Sequence, residues 1–351
     1  MTAPPAPQRA LIIKPSSLGD VITGLPVLRA LRRAFPDAHL GWLVNAPLAG
    51  ILDGEAALDE IIGFDRRRFG RMWRSPRSGG AFAAFCRDLR RRRFDWAVDL
   101  QGLFRSGFLA RVSGAPVRAG FARAREAAWL FYTHRIETAP AHTVDRNIAL
   151  ARGLGLDARP DDLRLTVTER GRRFAAGILA ETPAPPPCLV VAPGTRWLNK
   201  LYPRRHWRAV LESLGGTARI VLVGAPDERE LCDALAAAAR ADVVNLAGET
   251  DLGELVGVIA AADALLCCDS AAGLIAAAVD TPFVMLTGPT RPERTGPYGR
   301  LGRALAADVP CIGCLRRRCR HATCMQLIDP ARVADAARGA LRRARRAAAE
   351  A

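Results

Sequence analysis

"IIKPSSLGDV", residues 12–21, carries the first decision about the fold. An apolar run closes on Lys14, a Pro-Ser-Ser-Leu-Gly turn follows, and a helical pattern begins at Asp20 or Val21. Strand, tight turn and helix open a βαβ unit, whose helix N-terminus presents free N–H groups and a positive dipole end to a bound anion. Yet this turn holds a carboxylate, Asp20, that would repel one. An aspartate here can cap the helix, or it can stand at the mouth of a site as a general base. Residue type alone leaves both readings open.

Working outward, short apolar runs alternate with helical patterns along the chain, which predicts an α/β fold with parallel sheets. Strands are expected at 10–14, 40–44, 60–64, 96–100 and 117–121, and again at 188–192, 219–224, 242–248, 264–268 and 282–288. Between the two series lies "ETPAPPP" (181–187), whose prolines suit a stiff linker. The expected organisation is a domain over 1–180, the linker, a second domain over 188–328 and a terminal Ala/Arg helix over 329–351 with a solvated face. Both domains are expected to be doubly wound and Rossmann-like, facing a cleft. Turn residues gather at the strand ends of the second half: Gly194-Thr195-Arg196, Gly224, Gly248, Asp269-Ser270 and Gly288-Pro289-Thr290. Ligands in open α/β sheets bind at such ends.

The formal charge is +16, but 49 of the 51 basic residues are arginine. That bias runs through the whole chain and weakens the charge as a sign of a nucleic-acid partner. It also makes the two lysines, Lys14 and Lys200, informative, since each follows a strand end where a compact ammonium differs most from a guanidinium. Nine cysteines without an apolar leader are expected to be reduced thiols in the cytoplasm, and a basic chain without a membrane span is compatible with peripheral contact with an anionic inner membrane.

The spacing K-x-S-S-x-G-D-V with the following "LP" resembles the opening motif of the bacterial heptosyltransferases, glycosyltransferase family 9, which have the two-Rossmann-domain GT-B architecture. "DRRRFGRMW" (65–73), "DLQGLFRSG" (99–107) and "AREAAWLFY" (124–132) are most similar to heptosyltransferase I. In the second half "PGTRWLNKLYP" (193–203), "GAPDE" (224–228), "DSAAGLIAAAVDTP" (269–282) and "GPTRPERTGPYG" (288–299) resemble the family's donor-binding segments. The resemblance implies an inverting transfer of heptose from ADP-heptose to Kdo-lipid A, the inner core of lipopolysaccharide, on the cytoplasmic face of the inner membrane.

On that resemblance Asp20 is the base and Lys200 neutralises the leaving diphosphate. Ser17, Gly19, Thr195, Arg196, Glu228, Thr250, Asp269, Ser270 and Ala271 fall on donor-binding positions, with Glu228 on the ribose. Arg67, Arg68, Arg71, Gln101 and Arg125 fall on acceptor-binding positions, and solvated arginines are an equally ready account of the basic ones. No Asp-x-Asp occurs in the chain, so no cofactor is expected for catalysis. The family's donor loop usually reads D-[S/T]-G-x-x-H, whereas Ala271 and Leu274 stand here for the glycine and histidine, which leaves open a different donor or lost activity. Cys311, Cys314, Cys319 and Cys324 have zinc-knuckle spacing, C-x2-C-x4-C-x4-C, and raise a structural zinc beside the alternative of packed thiols. A basic nucleic-acid binder built on that knuckle is the reading from another class, and the missing aromatics argue against it. An NAD-type dehydrogenase is disfavoured because no G-x-G-x-x-G follows the first strand.

Overall fold

The computed structural model describes residues 4–71, 73–179, 187–239, 243–300 and 303–350. It divides into two compact units, Met1–Arg164 and Leu165–Ala351. In the first, strands β1 (Arg9–Ile13), β2 (His39–Asn45), β3 (Glu60–Phe64), β4 (Trp96–Asp99), β5 (Val117–Phe121) and β6 (His134–Ile136) form one parallel sheet in the order β3-β2-β1-β4-β5-β6. Six helices accompany it: α1 (Leu18–Ile22), α2 (Leu25–Ala34), α3 (Arg66–Phe69), α4 (Pro76–Arg91), α5 (Phe104–Val112) and α6 (Thr143–Gly153).

The second unit repeats the plan. Its strands are β7 (Cys188–Ala192), β8 (Arg219–Leu222), β9 (Val243–Asn245), β10 (Ala264–Cys268), β11 (Phe283–Leu286) and β12 (Ala304–Leu305), all parallel, in the order β12-β11-β10-β7-β8-β9. Its helices are α7 (Glu169–Leu179), α8 (Arg204–Leu214), α9 (Arg229–Ala236), α10 (Leu252–Ala261), α11 (Ala271–Ala278), α12 (Pro292–Thr295), α13 (Thr323–Gln326) and α14 (Pro330–Glu350). Counted from its own first strand, each unit therefore reads 3-2-1-4-5-6, the doubly wound order. The central strands are apolar without alternation because helices cover both faces of a parallel sheet. Trp42, Trp96 and Trp207 are fully buried, each contributing about 2 kcal/mol of apolar burial.

Three departures from the sequence-based expectation have local causes. The edge strands β6 and β12 are only three and two residues long, too short to show a hydrophobic period. The division falls after Arg164, not within 181–187, most of which lies outside the described residues. Helix α7, expected to close the first domain, belongs to the second unit because it crosses α10 with the two backbones touching. A Cβ on Gly257 would lie 2.2 Å from the Gly171 carbonyl oxygen, and one on Gly171 would lie 2.5 Å from that of Gly253. Finally, α14 is not only a solvated helix: Val333, Ala334, Ala337, Ala340 and Leu341 join the core beside Trp207, Leu211 and Leu214 of α8.

The α7–α10 crossing gives a stability prediction. Gly257→Val should force the helices apart and cost about 2 kcal/mol or more by overpacking. Thermal unfolding followed by circular dichroism should show a midpoint several degrees lower. An unchanged midpoint would mean that the two backbones are not in contact.

Candidate active site

In each unit the strand order reverses between its first and fourth strands, β1/β4 and β7/β10, and helices leave in opposite directions there. That opens a crevice at the carboxyl ends, the general ligand position in such sheets. Lys14, Asp20 and Gln101 lie at the first of these places and Thr195, Lys200, Asp269 and Ser270 at the second, while other singled-out residues lie apart.

At β1/β4, Lys14 follows the last residue of β1 and is 4 % exposed. Its ammonium donates to the Leu100 carbonyl, 2.6 Å away just beyond β4, and stands 3.9 Å from Asp20 Oδ1. Burial lowers the Lys14 pKa, while Asp20 and Asp99 act to raise it and Arg146 and Arg125 to lower it. Helix α1 starts earlier than its apolar pattern suggested, with Ser17 as N-cap, so Asp20 is not the cap but the third helical residue. The Ser17 N–H and hydroxyl both donate to Asp20 Oδ2 at 2.8 Å. One carboxylate oxygen is thus held by the turn, and the other faces the ammonium on a side chain 36 % exposed. The helix is fixed from behind by Asn147, whose amide donates to the Thr23 carbonyl at 2.8 Å. It is fixed from below by Trp42, against whose ring Gly24 leaves no space for a Cβ.

Asp99 ends β4 completely buried. It accepts from the Tyr132 hydroxyl at 2.5 Å and from the N–H groups of Gln101 and Gly102 at 2.8 and 3.1 Å. Burial pushes its carboxyl above the ordinary range despite those donors, and burial beside Asp99 pushes the Tyr132 phenol up as well. Among the expected acceptor residues, Gln101 is placed by this network and its Oε1 is buried with no hydrogen-bond partner. Arg125 is exposed; its N–H donates to Gly102, and its charge reaches Lys14. Arg67 and Arg68 lie on α3 and Arg71 in the turn after it, all exposed. Ser17 and Gly19, expected on the donor, sit in this first unit in the turn and helix that hold Asp20.

At β7/β10 the centre is Asp269. Lys200 Nζ lies 2.9 Å from Asp269 Oδ2, with both side chains mostly buried, and the Thr290 hydroxyl donates to the same oxygen. The Thr195 hydroxyl donates to the Asp269 carbonyl at 3.3 Å, joining the ends of β7 and β10. Trp197 holds two cations near its ring, Lys200 at 4.6 Å and Arg317 at 5.1 Å. Ser270 caps α11, and Ala271 begins it. Glu228 presses against backbone. A Cβ on Gly194 would come within 2.1 Å of its carboxylate, one on Gly224 within 2.9 Å, and the Ala225 N–H donates to it at 2.9 Å. Burial raises the Glu228 pKa above its ordinary 4.5, against the hydrogen bond from Ala225. Thr250 is half-buried ahead of the Asp251 cap of α10, and Arg196 is exposed.

The four cysteines of the expected knuckle lie ahead of and within α13. Among the described residues no three His, Cys, Asp or Glu side chains are grouped to hold a metal. Cys311 and Cys314 are exposed, Cys319 accepts from the Ala322 N–H, and Cys324 is buried against Gly288. His321 is engaged with Thr323 through Nδ1. Burial first, and then the three neighbouring cysteines, raise the Cys324 pKa. The sequence reading gave no site role to Asp99, Tyr132 and Trp197, because the partners of a site residue leave no pattern in a linear chain, and it named Thr290 only as a strand-end turn residue. Lys14 was signalled by lysine scarcity alone.

Comparison with known proteins agrees with this picture. Residues 82–324 match glycosyltransferase family 9 (heptosyltransferase). Lipopolysaccharide heptosyltransferase 1 of Pseudomonas aeruginosa is 34 % identical over 325 residues, spanning 89 % of this chain and 88 % of that one. The structure of E. coli heptosyltransferase WaaC with ADP superposes with a TM-score of 0.75 at 28 % identity, covering 95 % of this chain and 99 % of that one. The same enzyme with ADP-2-deoxy-2-fluoro heptose gives 0.69 at 30 % identity, over 86 % and 94 %. With two doubly wound units, a carboxylate held beside a buried lysine and a lysine–aspartate pair at the second reversal, the chain belongs to glycosyltransferase family 9, the heptosyltransferases.

Proposed function

We propose that the chain transfers heptose from ADP-heptose to the Kdo-lipid A inner core of lipopolysaccharide with inversion, working peripherally on the cytoplasmic face of the inner membrane. The observation that carries the reading is the state of Asp20. Ser17 occupies one carboxylate oxygen, which leaves Oδ1 to accept the proton of an attacking hydroxyl. The Lys14 ammonium stands 3.9 Å from that same oxygen. In the acceptor-binding unit Arg67, Arg68, Arg71 and Arg125 suit the carboxylates and phosphates of that lipid.

The donor falls to the second unit. Lys200 takes the charge that develops on the departing ADP, exchanging Asp269 for a phosphate oxygen, with Thr195 and the N-terminus of α11 beside it. Glu228, held over Gly194 and Gly224, accepts from ribose hydroxyls, and Thr250 lies toward the nucleotide. Leu274 offers no hydrogen bond to phosphate, so this site relies on Lys200. A transferase for another sugar nucleotide would share every residue named, and donor competition decides between them.

Three measurements test these roles. Asp20→Asn should leave ADP affinity near wild type and lower kcat about 10²- to 10⁴-fold; near-normal transfer, scored by mass gain of the lipid acceptor, would remove Asp20 from the chemistry. Lys14→Met should remove the ammonium that faces Asp20 Oδ1 and lower kcat about tenfold or more while ADP affinity stays near wild type. Wild-type kcat would remove Lys14 from the chemistry. Glu228 must be ionised to accept two hydroxyls, so ADP binding by wild type should weaken as pH falls through its raised pKa. Glu228→Gln should abolish that component in titration calorimetry and bind about tenfold more weakly at pH 8.

A further inference from the structure

The Trp197 ring holds two cations, and the transfer chemistry uses only one of them. Lys200 Nζ lies 4.6 Å from the ring centroid, and the guanidinium carbon of Arg317 lies 5.1 Å from it. The two charges are therefore no further apart than those distances laid end to end. Lys200 is answered by Asp269 at 2.9 Å. Arg317 is exposed, and no carboxylate among the described residues answers it. Stacking on an indole engages the face of a guanidinium and leaves its N–H edge available, the edge that matches two phosphate oxygens.

An exposed arginine is ordinary in so arginine-rich a chain. Arg317 differs because its backbone is fastened to the anion site. The side-chain amide of Asn199, next to Lys200, donates to the Arg316 carbonyl at 2.6 Å. Just before it, the Leu315 N–H donates to the Pro289 carbonyl at 2.6 Å and the Gly313 N–H to the Gly288 carbonyl at 2.9 Å. Arg291 Nε closes the same seam by donating to the Gly313 carbonyl at 3.0 Å. The loop gripped in this way carries Thr290, whose hydroxyl donates to Asp269, the partner of Lys200. Residues 313–317 thus form a strap tied both to the turn that bears Lys200 and to the loop that faces Asp269. The strap delivers a guanidinium to the indole that Lys200 already occupies. Nearby help is otherwise scarce, since the first four residues of α11, Ala271 to Leu274, carry no polar side chain.

We propose that Arg317 is a second cationic contact for the diphosphate of the donor, sharing its oxygens with Lys200. The proposal rests on the transfer reading for the identity of the donor, though not for the presence of a diphosphate receptor. Arg317→Gln keeps a planar, hydrogen-bonding side chain and removes the charge. Titration calorimetry on the full-length protein should show ADP and inorganic diphosphate binding about tenfold more weakly to this variant than to wild type. Adenosine should bind both proteins equally, and thermal unfolding should be unchanged. Added salt should weaken ADP binding less steeply in the variant, because one charge has left the site. Arg317→Lys, which keeps the charge without the paired edge, should fall between the two. Equal losses for ADP and adenosine, or parallel salt dependence, would overturn the proposal by reducing Arg317 to a prop for Trp197. Wild-type ADP affinity in Arg317→Gln would also overturn it and leave the transfer reading standing. Inorganic diphosphate held through Arg317 by a wild-type protein with no affinity for ADP would instead sink the nucleotide-sugar reading and leave the contact in place. Wild type binding neither probe would end both.

Discussion

A buried ammonium must be answered by acceptors, and the first strand-order reversal is arranged around that demand. Lys14 has left water with only the Leu100 carbonyl in direct contact. An unpaired charge there would be untenable. Asp20 and Asp99 supply the opposing charge from two sides, and each is held where it is by its own donors, Ser17 for one and Tyr132 with two backbone amides for the other. The position of Asp20 therefore helps to satisfy Lys14. Neither carboxylate is free to wander, because each has its second oxygen committed.

The second reversal solves a related problem with the signs arranged differently. Asp269 is the fixed group, tied through its carbonyl to Thr195 and through its carboxylate to Thr290 and Lys200. Both units place these charged groups at the carboxyl ends of neighbouring parallel strands. The same wiring of strands thus carries a carboxylate beside a buried lysine in one unit and a lysine–aspartate pair in the other.

Much of this was legible in the chain. Ten of the twelve described strands fall on apolar stretches, continuous in the central strands where both faces are covered, and the doubled α/β pattern follows from their spacing. The two edge strands escaped because β12 has two residues and β6 has one buried position. Proline content marked 181–187, whereas the compact units divide after Arg164, since no composition marks the glycine contact that fixes α7 to α10. The cysteine spacing states which thiols are near in sequence, whereas metal binding depends on where four sulfurs point. Asp20 was found through the oddity of an acid in that turn, but its true place at the third helical position needed coordinates.

Lysine side chains ordinarily sample many rotamers, and a ligand that captures one must oppose that freedom. Lys200 has already lost it. Its ammonium lies over the Trp197 ring, whose second cation, Arg317, comes from the segment that also receives the Asn199 amide through the Arg316 carbonyl. Order at this pair is thus settled during folding, and whatever group meets the ammonium meets a preorganised charge whose entropy was surrendered long before encounter.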